Sequence, residues 1–372
     1  MDEPQSDDYG LSRVPTAARI VAPELDYRPR DPLHYRPPIG LIGCGAISAY
    51  HLAAYRRAGY NVVALCDLIE SRARDRQAEF YPDARVYTNY RDLLRRDEIE
   101  VVDIATHPAD REPILEDALH ASKHVLSHKP FVLDLPFGRR LVDLADRQGV
   151  KLAVNQNGRW APHFAYLRQL AQQGILGDLT SAAFTVHWDH TWVIETPFND
   201  IPDLILYDFA IHWFDAVTSF FGDQRPLRVF ASTARAAGQR ARPPLLAQVA
   251  IEYETAQATL AFDATVVHGQ EDRTFLAGTK GSVVSSGPSL SEQRVILTTV
   301  EGTSSPKLEG TWFREGFHGT MGELLCAIEE DREPLHGARG NLRSLELAFA
   351  AIASAREGVP KVPGQVDRLP TS

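Results

Sequence analysis

Several things are scarce in this sequence, and each scarcity removes a class of protein. Of 372 residues only three are cysteines, Cys44, Cys66 and Cys326, widely spaced and odd in number. They fit neither a zinc-ligand spacing nor a disulfide framework and read as buried thiols in a reducing compartment. No apolar run approaches the roughly 18 residues of a membrane helix. The opening MDEPQSDDYG is acidic where a signal peptide is basic and then apolar. Basic residues are outnumbered 39 to 49, a formal net charge of −10. That balance argues against a general nucleic-acid binder and against adhesion to anionic membranes. Internal repeats and low-complexity tracts are lacking. What remains is expected to be cytoplasmic and globular, 44% apolar and 24% charged. It is too long for one core, so two domains are expected.

Residues 1–36 lack periodicity, and APELDYRPRDPLHYRPP carries five prolines. Proline excludes central strands and helix interiors, so an extended arm is expected. It is either a disordered tail or a strap over a neighbouring subunit, anchored by Leu25, Tyr27, Leu33 and Tyr35. From residue 37 to 157, short apolar runs at Ile39–Ile42, Val62–Cys66, Val101–Ala105, His124–Leu126 and Leu152–Val154 alternate with helix-length segments. This predicts an α/β doubly wound parallel sheet. From 158 to 372 the period shortens to two, as in Val249–Tyr253 and Ala256–Phe262. That rhythm predicts an α+β domain on a largely antiparallel sheet with one open face, closed by a helix near 342–356. This last helix has the option of packing back on the first domain. The open face predicts a homodimer or homotetramer.

Ile39–Ile42 runs directly into Gly43-Cys44-Gly45-Ala46-Ile47-Ser48 and a helix. This is the dinucleotide fingerprint, with Ser48 as the small third residue. Gly43 makes the tight turn, Gly45 lets a pyrophosphate approach, and the helix N-terminus offers free N–H groups. Asp67 ends the next strand 22 positions after Gly45, where a carboxylate receives the ribose hydroxyls. NAD is therefore expected over NADP, although Arg72 or Arg74 would tolerate a 2′-phosphate.

Three later segments carry polar residues where ligands of such sheets bind. Lys129 follows a strand end in HVLSHKP, with a Lys-Pro bond open to the cis form. Asn157, Arg159 and Trp160 follow another; Arg159 suits either a substrate anion or a structural ion pair. In LILYDFAIHWFD, Asp208, His212 and Asp215 are spaced to share a helix face. Taken alone, Asp208–His212 is more often a structural hydrogen bond than a catalytic pair.

Together these segments, with GLIGCGAIS, Gly278-Thr279-Lys280-Gly281 and SLELAFAAIASAREGVPKV, resemble the Gfo/Idh/MocA family over about residues 37–360. The resemblance implies a Rossmann domain followed by an α+β domain, and NAD(P)-dependent oxidation of a secondary alcohol of a sugar, cyclitol or sugar derivative. It maps the family's lysine, aspartate and histidine onto Lys129, Asp208 and His212. It adds Ala46, Ile47, Thr106, His107 and His128 to Gly43, Gly45, Asp67 and Lys129 as cofactor contacts. His128 replaces the family's usual glutamate, His107 a common proline and Arg111 a common histidine.

Chemically, neutral His212 would be the general base, oriented by Asp208, with Lys129 on the developing alkoxide. At His187-Trp188-Asp189-His190-Thr191-Trp192, strand alternation puts His187 and Asp189 on one side and Trp188 and His190 on the other. The expected carbohydrate contacts are His187, Asp189, Trp160 and Trp192, joined by Asn157 and Arg159. The alternation splits the potential ligands of a metal, so none is expected. Two other classes stay open: a lyase, epimerase or glycosidase that oxidises transiently with tightly bound NAD, and a non-catalytic nucleotide- or sugar-binding protein.

Overall fold

The structure is a computed structural model that describes residues 17–369. The first part of the expected arm, residues 1–16, lies outside them.

The strand–helix alternation forms β1 (Pro38–Ile42), α1 (Ser48–Ala58), β2 (Asn61–Cys66), α2 (Glu70–Phe80), β3 (Arg85–Tyr87) and α3 (Tyr90–Leu94). It continues through β4 (Val101–Ile104), α4 (Pro108–His120), β5 (His124–His128), α5 (Leu135–Gln148) and β6 (Leu152–Asn155). All six strands are parallel in the order β3-β2-β1-β4-β5-β6, the doubly wound arrangement. The order reverses between β1 and β4, which opens a crevice at their carboxyl ends.

The remaining elements are α6 (Pro162–Gln172), β7 (Leu179–His187), α7 (Ile211–Phe221), β8 (Arg228–Ala234), β9 (Leu246–Glu252) and β10 (Gln257–Asp263). They are followed by β11 (Glu271–Gly278), β12 (Gly281–Ser289), β13 (Glu292–Thr299), β14 (Gly302–Ser304), α8 (Trp312–Glu329) and α9 (Ala338–Glu357). The second sheet runs β14-β13-β12-β11-β7-β10-β9-β8, antiparallel except where β7 meets β10. Its inward residues, such as Phe184, Val249, Leu260 and Leu276, are buried in the core. Phe230, on the opposite face of β8, is 45% exposed.

Two helices of the second segment cross the chain-order division, the last of them in the way left open for it. Helix α8 covers the first sheet: its Phe317, Met321, Leu324 and Leu325 share a core with Ile39, Leu41, Leu126 and Ala153. Helix α9 touches β6 and α5 as well as β8. The C-terminal part of the chain thus supplies a layer of the nucleotide-type sheet.

The described part of the arm straps its own chain. Ile20 N–H donates to the Thr303 carbonyl (3.0 Å), and the Tyr166 hydroxyl donates to the Pro23 carbonyl (2.9 Å). The Glu329 carboxylate receives the N–H groups of Leu33, His34 and Tyr35 at 2.6–2.8 Å. Leu25, Tyr27 and Tyr35 pack against the two cores. Leu33, the fourth expected anchor, is 82% exposed.

Candidate active site

The crevice is a cavity of about 1030 Å³ reaching from the glycine turn, across the carboxyl ends of β1, β2, β4 and β5, to α7 and α8. At one end Gly43 has φ +99°, and a Cβ there would lie 2.9 Å from the Ala105 carbonyl carbon and the Thr106 nitrogen. Only glycine meets both conditions. A Cβ on Gly45 would meet nothing within 4 Å, leaving an open cradle over the turn. The Cys44 N–H donates to Asp67 Oδ2 and the Ile69 N–H to Oδ1, both at 2.8 Å. The carboxylate is thereby fixed at the end of β2, beside Arg72 in the cavity wall. Ser48 donates to the Gly45 carbonyl (2.6 Å) and accepts from Arg76 (3.1 Å), stitching α1 to the turn. Burial pushes the thiols of Cys44 and Cys66 up to about 12.

The middle of the cavity is tied by Arg111, which is 1% exposed. Its guanidinium donates to the carbonyls of Thr106 (Nε, 3.1 Å), Pro130 (2.6 Å) and His128. Burial draws its pKa down to about 10. One side chain therefore joins the loop after β4 to the loop after β5. The Lys129–Pro130 peptide in that second loop is cis. Beneath it, His51 Nδ1 and the Tyr55 hydroxyl each lie 2.7 Å from Asp103 Oδ2, all three groups buried.

At the far end, Lys129 Nζ is 3.1 Å from Asp208 Oδ2 and donates to the Asp208 carbonyl at 2.9 Å. Asp208 sits on a π-helical turn, Ile205–Phe209, in which Ala210 N–H reaches back to the Ile205 carbonyl (2.9 Å). The wider turn offsets Asp208 from the regular face that continues into α7. Its carboxylate accordingly pairs with Lys129 and makes no hydrogen bond to His212, in contrast to the expected Asp208–His212 orientation. His212 Nδ1 is buried without a hydrogen-bond partner. Burial, then the charge of Lys129, hold its pKa well below the usual imidazole value. His128 is lowered in the same way, by burial first and then by its cationic neighbours.

The cavity brings together Gly43, Gly45, Ala46, Ile47, Asp67, Thr106, His107, His128, Lys129, Asn157, Trp192, Asp208 and His212. Four expected substrate contacts stand elsewhere. Arg159 makes a bidentate ion pair with Asp215 (2.5 and 2.8 Å), so Asp215 also leaves the site. Trp160 is 4% exposed and packs under Gly319 of α8. Asp189 is consumed by the N–H and hydroxyl of Thr191 (2.9 and 2.7 Å). His187 ends β7 on its outer face, opposite Val186. The inward face is that of Phe184 and Val186, and it continues to Trp188 and His190, which line the cavity. That apolar register in the sequence was the available signal for these two. Arg111, Phe198, Phe209, Trp312, Phe313 and Phe317 also line the cavity. Only the aromatic content hinted at the rings, whereas Arg111 already stood out in the sequence as replacing a histidine common in the family.

The residues fit a nicotinamide dinucleotide. Beyond the open cradle at Gly45, buried polar atoms without partners line the cavity: Thr106 Oγ1, His128 Nδ1 and Asn157 Nδ2. Such groups are costly unless a ligand completes them. Among the described residues, no group of three or more His, Cys, Asp or Glu could hold a metal ion, and no helix is long and apolar enough to cross a membrane.

Comparison with known proteins agrees with this architecture. Residues 38–156 match the model of an oxidoreductase family with an NAD-binding Rossmann fold, and residues 164–284 match the GFO/IDH/MocA C-terminal domain. The chain is 28% identical to D-apiose dehydrogenase of Paraburkholderia graminis, over 86% of this chain and 87% of that protein. It is 24% identical to inositol 2-dehydrogenase of Rhizobium meliloti, over 86% and 96%. An Agrobacterium radiobacter oxidoreductase, solved with NAD+, L-tartaric acid and magnesium, shares the fold at a TM-score of 0.80 and 19% identity, over 89% of this chain and 99% of that one. The chain belongs to the Gfo/Idh/MocA family of oxidoreductases.

Proposed function

We infer that this chain transfers a hydride between a secondary alcohol of a sugar, cyclitol or sugar derivative and NAD. The observation that carries the reading is the convergence of the Lys129–Asp208 pair and unpartnered His212 on a cavity whose other end has the dinucleotide turn. The nicotinamide cofactor supplies the hydride acceptor. The protein's task is the hydroxyl proton and the charge left on oxygen. His212 takes the proton on its ring, since its depressed pKa keeps it neutral near pH 7. Lys129 donates to the substrate oxygen and stabilises the developing alkoxide in a site shielded from water. Asp208 holds the ammonium in place from 3.1 Å. The names of the relatives, apiose and inositol dehydrogenases, support a polyhydroxylated substrate.

Asp67 in the cavity wall supports NAD over NADP, because a ribose 2′-phosphate would meet its carboxylate. The outward face of the second sheet supports self-association as a homodimer or homotetramer, and the buried free thiols support a reducing, cytoplasmic setting. The test is a panel of sugars and polyols with NAD and with NADP, following absorbance and product together. Equimolar NADH and ketone (or lactone) would support the assignment. Product without net NADH from every member would refute net dehydrogenation.

A further inference from the structure

The substrate end of the cavity differs from the dinucleotide end in its charge. The charged residues of the wall are Asp67, Arg72, Asp110, Arg111, Lys129 and Asp208. Asp67 and Arg72 belong to the glycine-turn end, and Asp110 to the first turn of α4. Near the reacting groups, Arg111 is spent on three carbonyls and the Lys129 ammonium faces the Asp208 carboxylate. His128, His190 and His212 are all held neutral by burial. Arg111 keeps its charge but is buried on its carbonyl partners, and the Lys129 ammonium is already paired, so no free cation is left there to pair with a phosphate or carboxylate.

Beside the reacting groups, along the same cavity, stands an aromatic wall. The His190 ring is stacked on Trp188 at 5.0 Å and 15° and lies 4.4 Å from Phe209 and 5.9 Å from Trp192. Trp192 in turn lies edge-to-face on Phe198 at 5.7 Å. The backbone fixes this wall: Trp188 N–H donates to the Asp263 carbonyl (2.8 Å), and His190 N–H donates to that of Ala264 (2.9 Å). Burial pulls His190 down to about 4, against the opposing charges of Asp189 and Asp208. Its Nδ1 is buried without a hydrogen-bond partner. A neutral imidazole offers one donor and one acceptor, and an unmet one inside an aromatic wall is completed by a hydroxyl.

We propose that His190 and the rings around it are the specificity device of this site: the wall selects an uncharged sugar or polyol ring, stacks one C–H face of it and reads a hydroxyl through His190. Carbohydrate C–H bonds carry a small positive charge that suits an aromatic face. A carboxylate or phosphate brought to the same place is desolvated with no free cation to pair with it. The proposal rests on the oxidoreductase reading above and adds what that reading leaves open, the charge of the substrate and the residue that discriminates.

The experiment compares D-glucose, D-xylose and myo-inositol with D-glucuronate and D-glucose 6-phosphate as substrates of the full-length enzyme with NAD. Uncharged members are expected to be preferred by about a hundredfold or more in kcat/KM, the scale on which leaving site or ligand polar groups unpaired acts. In His190→Phe, which keeps a flat ring, KM should rise about tenfold or more while kcat stays within about threefold. NADH binding, read by fluorescence, should stay within about twofold, which also reports an intact fold. His190→Asn or His190→Gln, which keep a donor and an acceptor, should recover part of the loss. Equal or better turnover of a charged member, or an unchanged KM in His190→Phe, overturns the proposal and leaves the oxidoreductase reading standing. If no sugar yields NADH, the underlying reading falls and takes this one with it.

Discussion

The two ends of the cavity are built by different means. The dinucleotide end is a local construction: strand β1, two glycines, helix α1 and Asp67 come from one stretch of chain, and the backbone does the work. The substrate end is assembled from Lys129, the π turn at Ile205–Phe209, the Trp188–Trp192 segment and α8, and side chains do the work. A site of the first kind declares itself by spacing along the chain. One of the second kind depends on which faces the tertiary fold turns inward.

Substitutions at one end should leave the other largely intact. The largest effect is expected for His212→Asn, which should lower kcat by about 10² to 10⁴-fold, the range for a lost general base. NADH affinity should be preserved, and stopped-flow and equilibrium binding measure the two separately. Gly43→Ala strikes the opposite end. Its φ of +99° and the 2.9 Å approach to the Ala105–Thr106 peptide demand a backbone shift. NAD affinity should fall at least tenfold, and stability by about 1–3 kcal/mol, the scale of such strain, as read by chemical denaturation.

Arg111→Met tests the seam between the ends. It leaves buried carbonyls of both loops unpaired, so stability should fall by about 1–3 kcal/mol, with kcat and NAD affinity declining together. Asp67→Ala should shift the NAD/NADP preference by about tenfold, the value of roughly 1.4 kcal/mol. An equal loss for both cofactors would refute a ribose contact and reduce Asp67 to a latch for Cys44 and Ile69. The smallest change is expected from pH. Because the pKa of His212 is lowered, its basic form persists as pH falls through 6.5. The acid limb of kcat/KM for oxidation should therefore lie well below 6.5, and a limb at 6.5 would remove His212 from the role of base.

Much of this was legible because burial leaves a mark on composition. Parallel strands covered on both faces read as apolar runs, and β1, β2, β4, β5 and β6 fall within two residues of the expected spans. The three-residue edge strand β3, half-exposed at Val86 and Tyr87, leaves no such mark. Strand β12, GSVVSSGPS, has the composition of a turn and is held by its neighbours β11 and β13. Helix α8 is hidden by Gly316, Gly319 and Gly322, which lower helix propensity. They are there because Asn157, Trp160 and the Arg30 carbonyl press against the helix, each closer than 3 Å to where a Cβ would stand.

The site followed the same logic. Motif and position single out Lys129 and His212, and both line the cavity. The partner of Asp208 was misread because a π turn has the same residue spacing on paper as an α turn. Arg159 and Asp189 had partners, Asp215 and Thr191, that claimed them before any substrate could.

The most direct test of the account is Lys129→Ala, assayed with a neutral sugar or polyol that the wild type oxidises. The account predicts equimolar NADH and product from the wild type, at least about a hundredfold less from the variant, and NADH affinity unchanged within about twofold. Near-full activity in Lys129→Ala, or wild-type product formed without NADH, would contradict it.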